Sequence, residues 1–404
     1  MSLPMSHSTR SRASRALILG LLLVIASCSV DASPTLTPRP TFTTTSTTIP
    51  PTTTTTVPLL AIDGAPEDLV EEIRRFYAAA GDPSAPAPVM PEIVLTALHD
   101  ATPVTVTSGT ASTGQFKGEG VAVVEVGADS FLVVNRGEQW EIVGGDWPSL
   151  EIPPYFGPSP RLVTIVGSDA RPGQAIAATR ADSIHFVGLD GAGGGGIVGL
   201  PRDSFVPVPG YGRRKITESL ALGGPDVMQQ AFTDLTGLPL EGYVITGFAG
   251  FQALLDGILG AVPVTVPFAI SDKAAKANLS PGEQLLNGAQ ALSFARARKT
   301  VPGGDFARSK HQGVIMLGAL SVLQAQGFRA LPQFMELAEP HLVTSLSAEQ
   351  ILTFAAMAIR SDLSAIPNIV APGRPGSAGA ASVVFLSEAA AGVWADLADG
   401  NLSG

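Results

Sequence analysis

From Arg161 onward, short runs rich in β-branched residues alternate with longer segments of helical spacing, and this alternation restricts that part of the chain to an α/β fold. Residues 162–166, 183–189 and 197–200 read as strands, and helical spacing starts near Asp226, Phe248, Gly288 and Asp305. The expected architecture over 157–404 is a layered α/β domain with a mixed central sheet. Leu222-Gly223-Gly224-Pro225 predicts a break before a helix, and Gly327 a helix end. The glycine run 191–196 lies between two strands and lacks the Gly-Lys-Ser/Thr of a phosphate loop, so it predicts a hairpin.

Residues 61–156 read differently, as a small α+β accessory domain. A helix is expected at 67–80, followed by β-rich runs at 104–107, 121–126, 131–134 and 140–143, with turns at Gly127-Ala128-Asp129-Ser130 and Asn135-Arg136-Gly137. No catalytic constellation stands here; His99 beside Asp100 reads as structural.

Ahead of both domains, residues 1–27 have the pattern of an export signal. Arg10, Arg12 and Arg15 precede an apolar run at 16–26 that is too short to span a bilayer comfortably. Ile25-Ala26-Ser27-Cys28 then resembles a lipobox, making Cys28 the expected lipid anchor; it is the single cysteine, so no intrachain disulfide can form. Residues 28–60 read as a tether, because 33–58 contain thirteen Thr and six Pro and almost nothing that could fill a core. Fully extended, that stretch spans about 80 Å at ~3.1 Å per residue. The protein is therefore expected at the extracytoplasmic face of the membrane, held there by lipid.

Loss of 1–27 removes three of the 25 basic residues and none of the 35 acidic ones, leaving 22 against 35 and a net charge of −13. Such a balance argues against nucleic acid as a partner, and an anionic ligand must be met by a local basic cluster. Candidates are Gly167-Ser168-Asp169-Ala170-Arg171, Arg180-Ala181-Asp182, Pro201-Arg202-Asp203, Lys215, and the late group Arg296, Arg298, Arg308 and Gln312. Asp169 follows one strand and Asp182 precedes the next, so the two carboxylates meet if the loop between them turns back. Their repulsion, about 4 kcal/mol at ~4 Å and an effective dielectric of ~20, calls for a cation between them. Oxygen ligands suggest Mg²⁺, with Mn²⁺ as the alternative. Arg308 and Gln312 share a helix face if Asp305 caps that helix, and guanidinium forks suit a pyrophosphate. Phe248, Phe251, Leu255 and Ile258 recur at helical spacing, the pattern of a core stripe or an apolar tunnel wall.

These motifs, in order, with Lys215-Ile216, Gly257-Ile258-Leu259-Gly260-Ala261-Val262, the stretch 288–298 and Gly304-Asp305-Phe306-Ala307-Arg308, resemble the LytR-CpsA-Psr family. The resemblance is strong over 160–325 and looser to 400. It implies an enzyme that takes a polyprenyl pyrophosphate-linked glycopolymer, seats the lipid in an apolar tunnel, and transfers the phosphoglycosyl unit to a peptidoglycan hydroxyl. By motif position it implies Asp169 and Asp182 as metal ligands, and Arg180, Arg202, Arg296, Arg298, Arg308 and Gln312 on the pyrophosphate, with Lys215 adding charge. Arg202, Asp203 and Arg298 would be catalytic, Asp203 either taking the acceptor's proton or orienting Arg202. The alternatives are a polyprenyl pyrophosphate pyrophosphatase and a noncatalytic lipoprotein that binds wall lipid. Two departures stand out: the expected lipid anchor in place of the transmembrane helix many members carry, and Thr217-Glu218-Ser219 where Asn-His or Asn-Ala is expected.

Overall fold

The computed structural model describes residues 60–403, apart from 138 and 172. The expected signal segment, Cys28 and nearly all of the tether lie outside the described residues. The first part of the described chain is a six-stranded sheet: β1 (Ala61–Asp63), β2 (Ser108–Phe116), β3 (Glu119–Val126), β4 (Asp129–Asn135), β5 (Trp140–Trp147) and β6 (Ile152–Tyr155), in sequence order. All neighbours are antiparallel except β1 and β2. Helices α1 (Glu67–Ala79) and α2 (Glu92–His99) lie between β1 and β2 in the chain.

β3 and β4 are nearly continuous apolar runs rather than alternating ones, the pattern of a sheet covered on both faces. One face packs Ala122, Val124, Phe131 and Val133 with Leu69, Ile73 and Phe76 of α1. Phe76 meets Phe131 edge-on at 4.8 Å between ring centres and stacks on Trp147 at 5.5 Å. The other face presents Val121, Val123, Leu132 and Val134 to helices from the second part of the chain.

That second part runs through β7 (Arg161–Ser168), β8 (Ala181–Leu189), β9 (Gly195–Gly199) and the hairpin β10 (Phe205–Val208) to β11 (Gly212–Lys215). It continues with α3 (Ser219–Thr236), β12 (Gly242–Thr246) and α4 (Phe248–Leu254). Two nested hairpins follow: β13 (Val262–Val266) pairs with β16 (Gly282–Leu286), and β14 (Ile270–Asp272) with β15 (Ala277–Leu279). Next come α5 (Gly288–Arg296), α6 (Asp305–Gln326), α7 (Leu331–Ala338), β17 (Leu342–Thr344), α8 (Ala348–Arg360) and β18 (Asn368–Val370). A last hairpin, β19 (Gly373–Ala378) to β20 (Ala381–Leu386), precedes α9 (Ala389–Leu397).

The central sheet has the order β17-β12-β7-β8-β9-β18. It is mixed as expected, with parallel pairs β12/β7 and β9/β18 and antiparallel pairs elsewhere. Its core against α3 and α9 is aromatic: Phe186 meets Phe232 and Trp394 edge-on at 5.5 and 5.4 Å. The break predicted at Leu222-Gly223-Gly224-Pro225 falls inside α3, where Gly224 sits at φ 73°. Among the described residues no single helix is long and apolar enough to cross a membrane.

Candidate functional site

The geometry of the site starts from one irregularity in the β7/β8 ladder. Gly167 pairs with Ser183 and Ser168 with Ala181, so Asp182 is the extra residue of a β-bulge. A bulge re-aims the side chain it carries. Asp182 lines a cavity with Ser168 and Ser183 and accepts a hydrogen bond from Nη1 of Arg202, which follows β9. Asp169, one step past the ladder, donates its own N–H to Arg180 O at 2.9 Å, and its Oδ1 accepts the Arg180 N–H at 3.0 Å. The loop between the two aspartates thus does turn back on itself, and its ends are tied at Asp169.

The late group is brought in by α5 and α6. α5 is started by a capping box, in which Asn287 Oδ1 accepts the Gln290 N–H and Gln290 Oε1 accepts the Asn287 N–H. It stops at Ala297, whose ψ of 126° is extended, so Arg296 closes the helix and Arg298 stands beyond it. Arg296 lines the cavity, its guanidinium 4.9 Å from the Phe248 ring centre, and Arg171 faces the same ring at 5.6 Å. The segment after Arg296 is clamped by Asp272, whose Oδ2 accepts the N–H groups of Arg298 and Lys299 at 3.0 and 2.9 Å. Those bonds, with two more from Ala274 and Ala275, lower the Asp272 carboxyl to about 2.

Arg308 and Gln312 share the cavity face of α6, and Gln312 Nε2 donates to Ala295 O at 3.0 Å. Asp305 does not cap this helix: Gly304 holds the cap position, without a side-chain hydrogen bond. The Asp305 carboxylate belongs instead to the cluster, 2.7 Å from Arg308 Nη2 and 3.7 Å from Arg298 Nη1. Neither contact meets the geometry of a hydrogen bond, and both Asp305 oxygens are buried without a donor. Arg308 is itself buried, and desolvation pulls its guanidinium below the ordinary value against the opposing field of Asp305. Burial acts the same way on Arg202, but there Asp182, Asp203 and Asp305 outweigh it and hold the group above its ordinary value. Arg202, Arg308, Asp182 and Asp305 are thus one interacting cluster.

Lys215 and Asp203 pair with each other at 2.9 Å. Neither lines the cavity; Asp203 acts on the cluster through its field on Arg202. Arg180 is exposed, and its side chain enters no ion pair among the described residues. The part of Asp305 in the cluster and the clamp at Asp272 escaped the sequence reading, and Arg171, though within a candidate motif, was assigned no role there. Asp305 resembled a helix cap, and only its spacing of three from Arg308 hinted at a pair.

A magnesium ion has to find hard oxygen donors here. Among the described residues no three His, Cys, Asp or Glu side chains gather into a cage. Magnesium, however, commonly takes one or two carboxylates and completes its shell with phosphate oxygens and water. Asp182, turned into the cavity by the bulge, and Asp169, one residue past the paired ladder, supply carboxylate oxygens of the kind that mode uses.

The cavity continues away from the charged cluster. It measures about 340 Å³ and follows β7 from Ser168 to Val163, roughly 17 Å at ~3.3 Å per residue. Its remaining wall is apolar: Phe248, Phe251, Leu254, Leu255 and Leu259 on one side, Phe334, Ala338, Ile351, Phe354 and Ala355 on another. Three residues of the expected stripe, Phe248, Phe251 and Leu255, line it; Ile258 does not, because α4 passes into a wider π-turn over Leu255–Leu259.

The model of the LytR_cpsA_psr family matches residues 157–396, more than half of the chain. Among curated proteins, the probable cell wall biosynthesis protein LcpB of Corynebacterium glutamicum is 30% identical over 185 residues, covering 42% of this chain and 44% of that protein. The polyisoprenyl-teichoic acid–peptidoglycan teichoic acid transferase TagU of Oceanobacillus iheyensis is 28% identical over 166 residues, covering 39% and 50%. The match therefore spans half or less of each of these relatives. Among solved structures, protein gbs0355 of Streptococcus agalactiae has the same fold, with a TM-score of 0.53 at 21% identity over 61% of this chain and 90% of that one.

Proposed function

Because the chain belongs to the LytR-CpsA-Psr family, we propose that it moves a phosphoglycosyl polymer from a polyprenyl pyrophosphate carrier to a hydroxyl of peptidoglycan. The observation that carries this reading is the continuity of one cavity, with Asp182, Arg296, Arg308 and Gln312 among its walls at one end and apolar surface along β7 toward Val163, a run of some 17 Å in all. A carrier that is a diphosphate at one end and a hydrocarbon at the other matches both parts. The name of the TagU relative, a transferase joining teichoic acid to peptidoglycan, points the same way.

In this reading the acceptor hydroxyl oxygen attacks the phosphorus that bears the sugar, the bond from that phosphorus to the bridging oxygen breaks, and polyprenyl phosphate departs with the hydroxyl proton passing to it. Arg308, buried and aimed by Asp305, and Arg296, held over Phe248, neutralise charge on the diphosphate oxygens without moving during the reaction. Arg202 is held by Asp182 beside the leaving phosphate, and Arg298 covers the open side from its Asp272-clamped loop. The Lys215 ammonium keeps Asp203 engaged, which favours Asp203 as an aligner of Arg202 over Asp203 as the base. Exposed Arg180 meets the glycan-side phosphate. Asp169 and Asp182 would hold Mg²⁺, or Mn²⁺, which when bound would offset the diphosphate charge. Cys28, as a lipid anchor, keeps the site at the outer face of the membrane where carrier and wall meet.

The test is to incubate the purified chain with a glycan-bearing polyprenyl pyrophosphate, with and without peptidoglycan, and to follow both products. Glycan fixed to peptidoglycan together with polyprenyl phosphate is the expected result. Phosphate release that ignores added peptidoglycan would instead mark a hydrolase, and intact carrier retained by the protein a binding lipoprotein.

A further inference from the structure

The accessory sheet lies outside the stretch that matches the family, yet it does not stand apart from the cavity. Helices α7 and α8 each work on two adjoining faces. On α7, Leu331 and Met335 are buried against the sheet while Phe334 and Ala338 line the cavity. On α8, Ala348, Leu352 and Ala356 meet the sheet while Ile351, Phe354 and Ala355 line the cavity. Each set repeats at the three- and four-residue spacing of one helix side. Two further ties hold this arrangement. Arg161, at the end of β7 remote from Ser168, donates to Thr353 Oγ1 at 2.7 Å and to Gln350 O at 3.2 Å, which fixes α8 at the far end of the cavity. In β2, Gly114 lies so close to α7 that a Cβ there would stand 2.5 Å from Pro332 O and 2.8 Å from its carbonyl carbon.

We infer that the accessory sheet is the outer support of the cavity wall, setting the room available to the far part of the hydrocarbon and hence which carrier chain lengths are accepted. The inference rests on the carrier reading above and adds the selecting element. Its physical basis is that the helices have no other backing on the sheet side: strands β2 to β5 are the surface against which they rest. A methyl group at position 114 has to part β2 from Pro332 by about half an ångström or more, since close-packed interiors leave no slack. With the sheet backed by α1, the yielding side is the cavity.

The experiment compares binding of dimethylallyl and undecaprenyl pyrophosphate, whose tails stop short of the far wall and run past it, to the full chain and to Gly114→Ala, with thermal unfolding recorded for both. The parent should prefer the longer chain, and Gly114→Ala should reduce that preference about tenfold, equivalent to ~1.4 kcal/mol, while dimethylallyl pyrophosphate binding stays within about twofold. Adding Phe334→Leu, which removes bulk from the cavity face of the same helix, should restore the preference; a merely loosened fold would not be rescued this way. An unchanged chain-length preference in folded Gly114→Ala, or no rescue, overturns the role of the sheet and leaves the carrier reading standing. Binding of neither pyrophosphate by the parent overturns the carrier reading, and this inference with it. Should Gly114→Ala fail to fold, Phe334→Leu alone decides: a raised preference for the longer chain supports the inference and an unchanged one overturns it.

Discussion

Replacing Arg308 with methionine separates the structural and chemical duties of the cluster. The guanidinium is buried and stands 2.7 Å from an Asp305 carboxylate that is 16% exposed and has no hydrogen-bond donor. At an effective dielectric of about 20 the bare attraction is roughly 6 kcal/mol. Much of this offsets desolvation, and breaking a buried pair from one side typically costs about 3–5 kcal/mol. Arg298, 3.7 Å from the same carboxylate, remains as a partial partner, so the lower end, about 3 kcal/mol, is expected. In urea this moves the unfolding midpoint by about 1 M for a slope of ~3 kcal/mol/M. The double variant Arg308→Met with Asp305→Asn removes the stranded charge and should unfold within about 1 kcal/mol of the parent. Transfer, followed as polyprenyl phosphate released in the presence of peptidoglycan, should nonetheless stay down by about a hundredfold or more in both variants, as for loss of one charge-stabilising donor. Recovery of transfer together with stability in the double variant would refute the assignment of Arg308 to the substrate.

Other outcomes follow from the same structure. His185 and His311 are buried and neutral, desolvation lowering each to about 4; the unfolded chain protonates first, so stability is whole above pH ~6.5 and falls as pH drops toward 4. Each adds a slope of up to ~1.4 kcal/mol per pH unit, and His311→Phe, which keeps a ring against Phe294, should remove one such contribution from urea unfolding measured across this range. Asp272→Ala frees the Arg298 and Lys299 N–H groups and should lower transfer about tenfold, while Arg298→Ala/Asp272→Ala should be no worse than Arg298→Ala alone. Gly318 of α6 lies against the carbonyl of Pro263 in β13, so Gly318→Ala should destabilise the fold by about 1–3 kcal/mol through overpacking.

The parts of this protein legible in its sequence are those encoded locally. β7, β8 and β9 follow from β-branched runs, the hairpin at 191–196 from its glycines, and α5 from the helical spacing that starts near Gly288. The expected strand at 104–107 is irregular, and the strand that forms is β2, where Ser, Thr and Gly predominate. Its place is set by partners on both sides, β1 and β3, which no local pattern announces. α2 was likewise unexpected, a short helix of only eight residues. At the site, the charged motifs could be read, but their mutual geometry could not. That Asp182 is the bulged residue depends on the β7/β8 register, and that Asp305 joins the arginines rather than capping α6 depends on Gly304 holding the cap. The double service of α7 and α8 was invisible for the same reason, since a helix apolar on two adjoining sides reads simply as buried.

The central claim is that a diphosphate and its hydrocarbon occupy a single cavity running from Arg308 and Gln312 along β7 to Phe354. Photocrosslinking with a polyprenyl pyrophosphate that carries a diazirine in the second isoprene unit from the diphosphate, followed by peptide mapping, addresses it directly. Labels should fall on α4, α7 and α8, at residues such as Phe251, Phe334 and Phe354, and should be displaced by unlabelled carrier. Labels spread over the protein surface, or undiminished by competitor, would contradict the account.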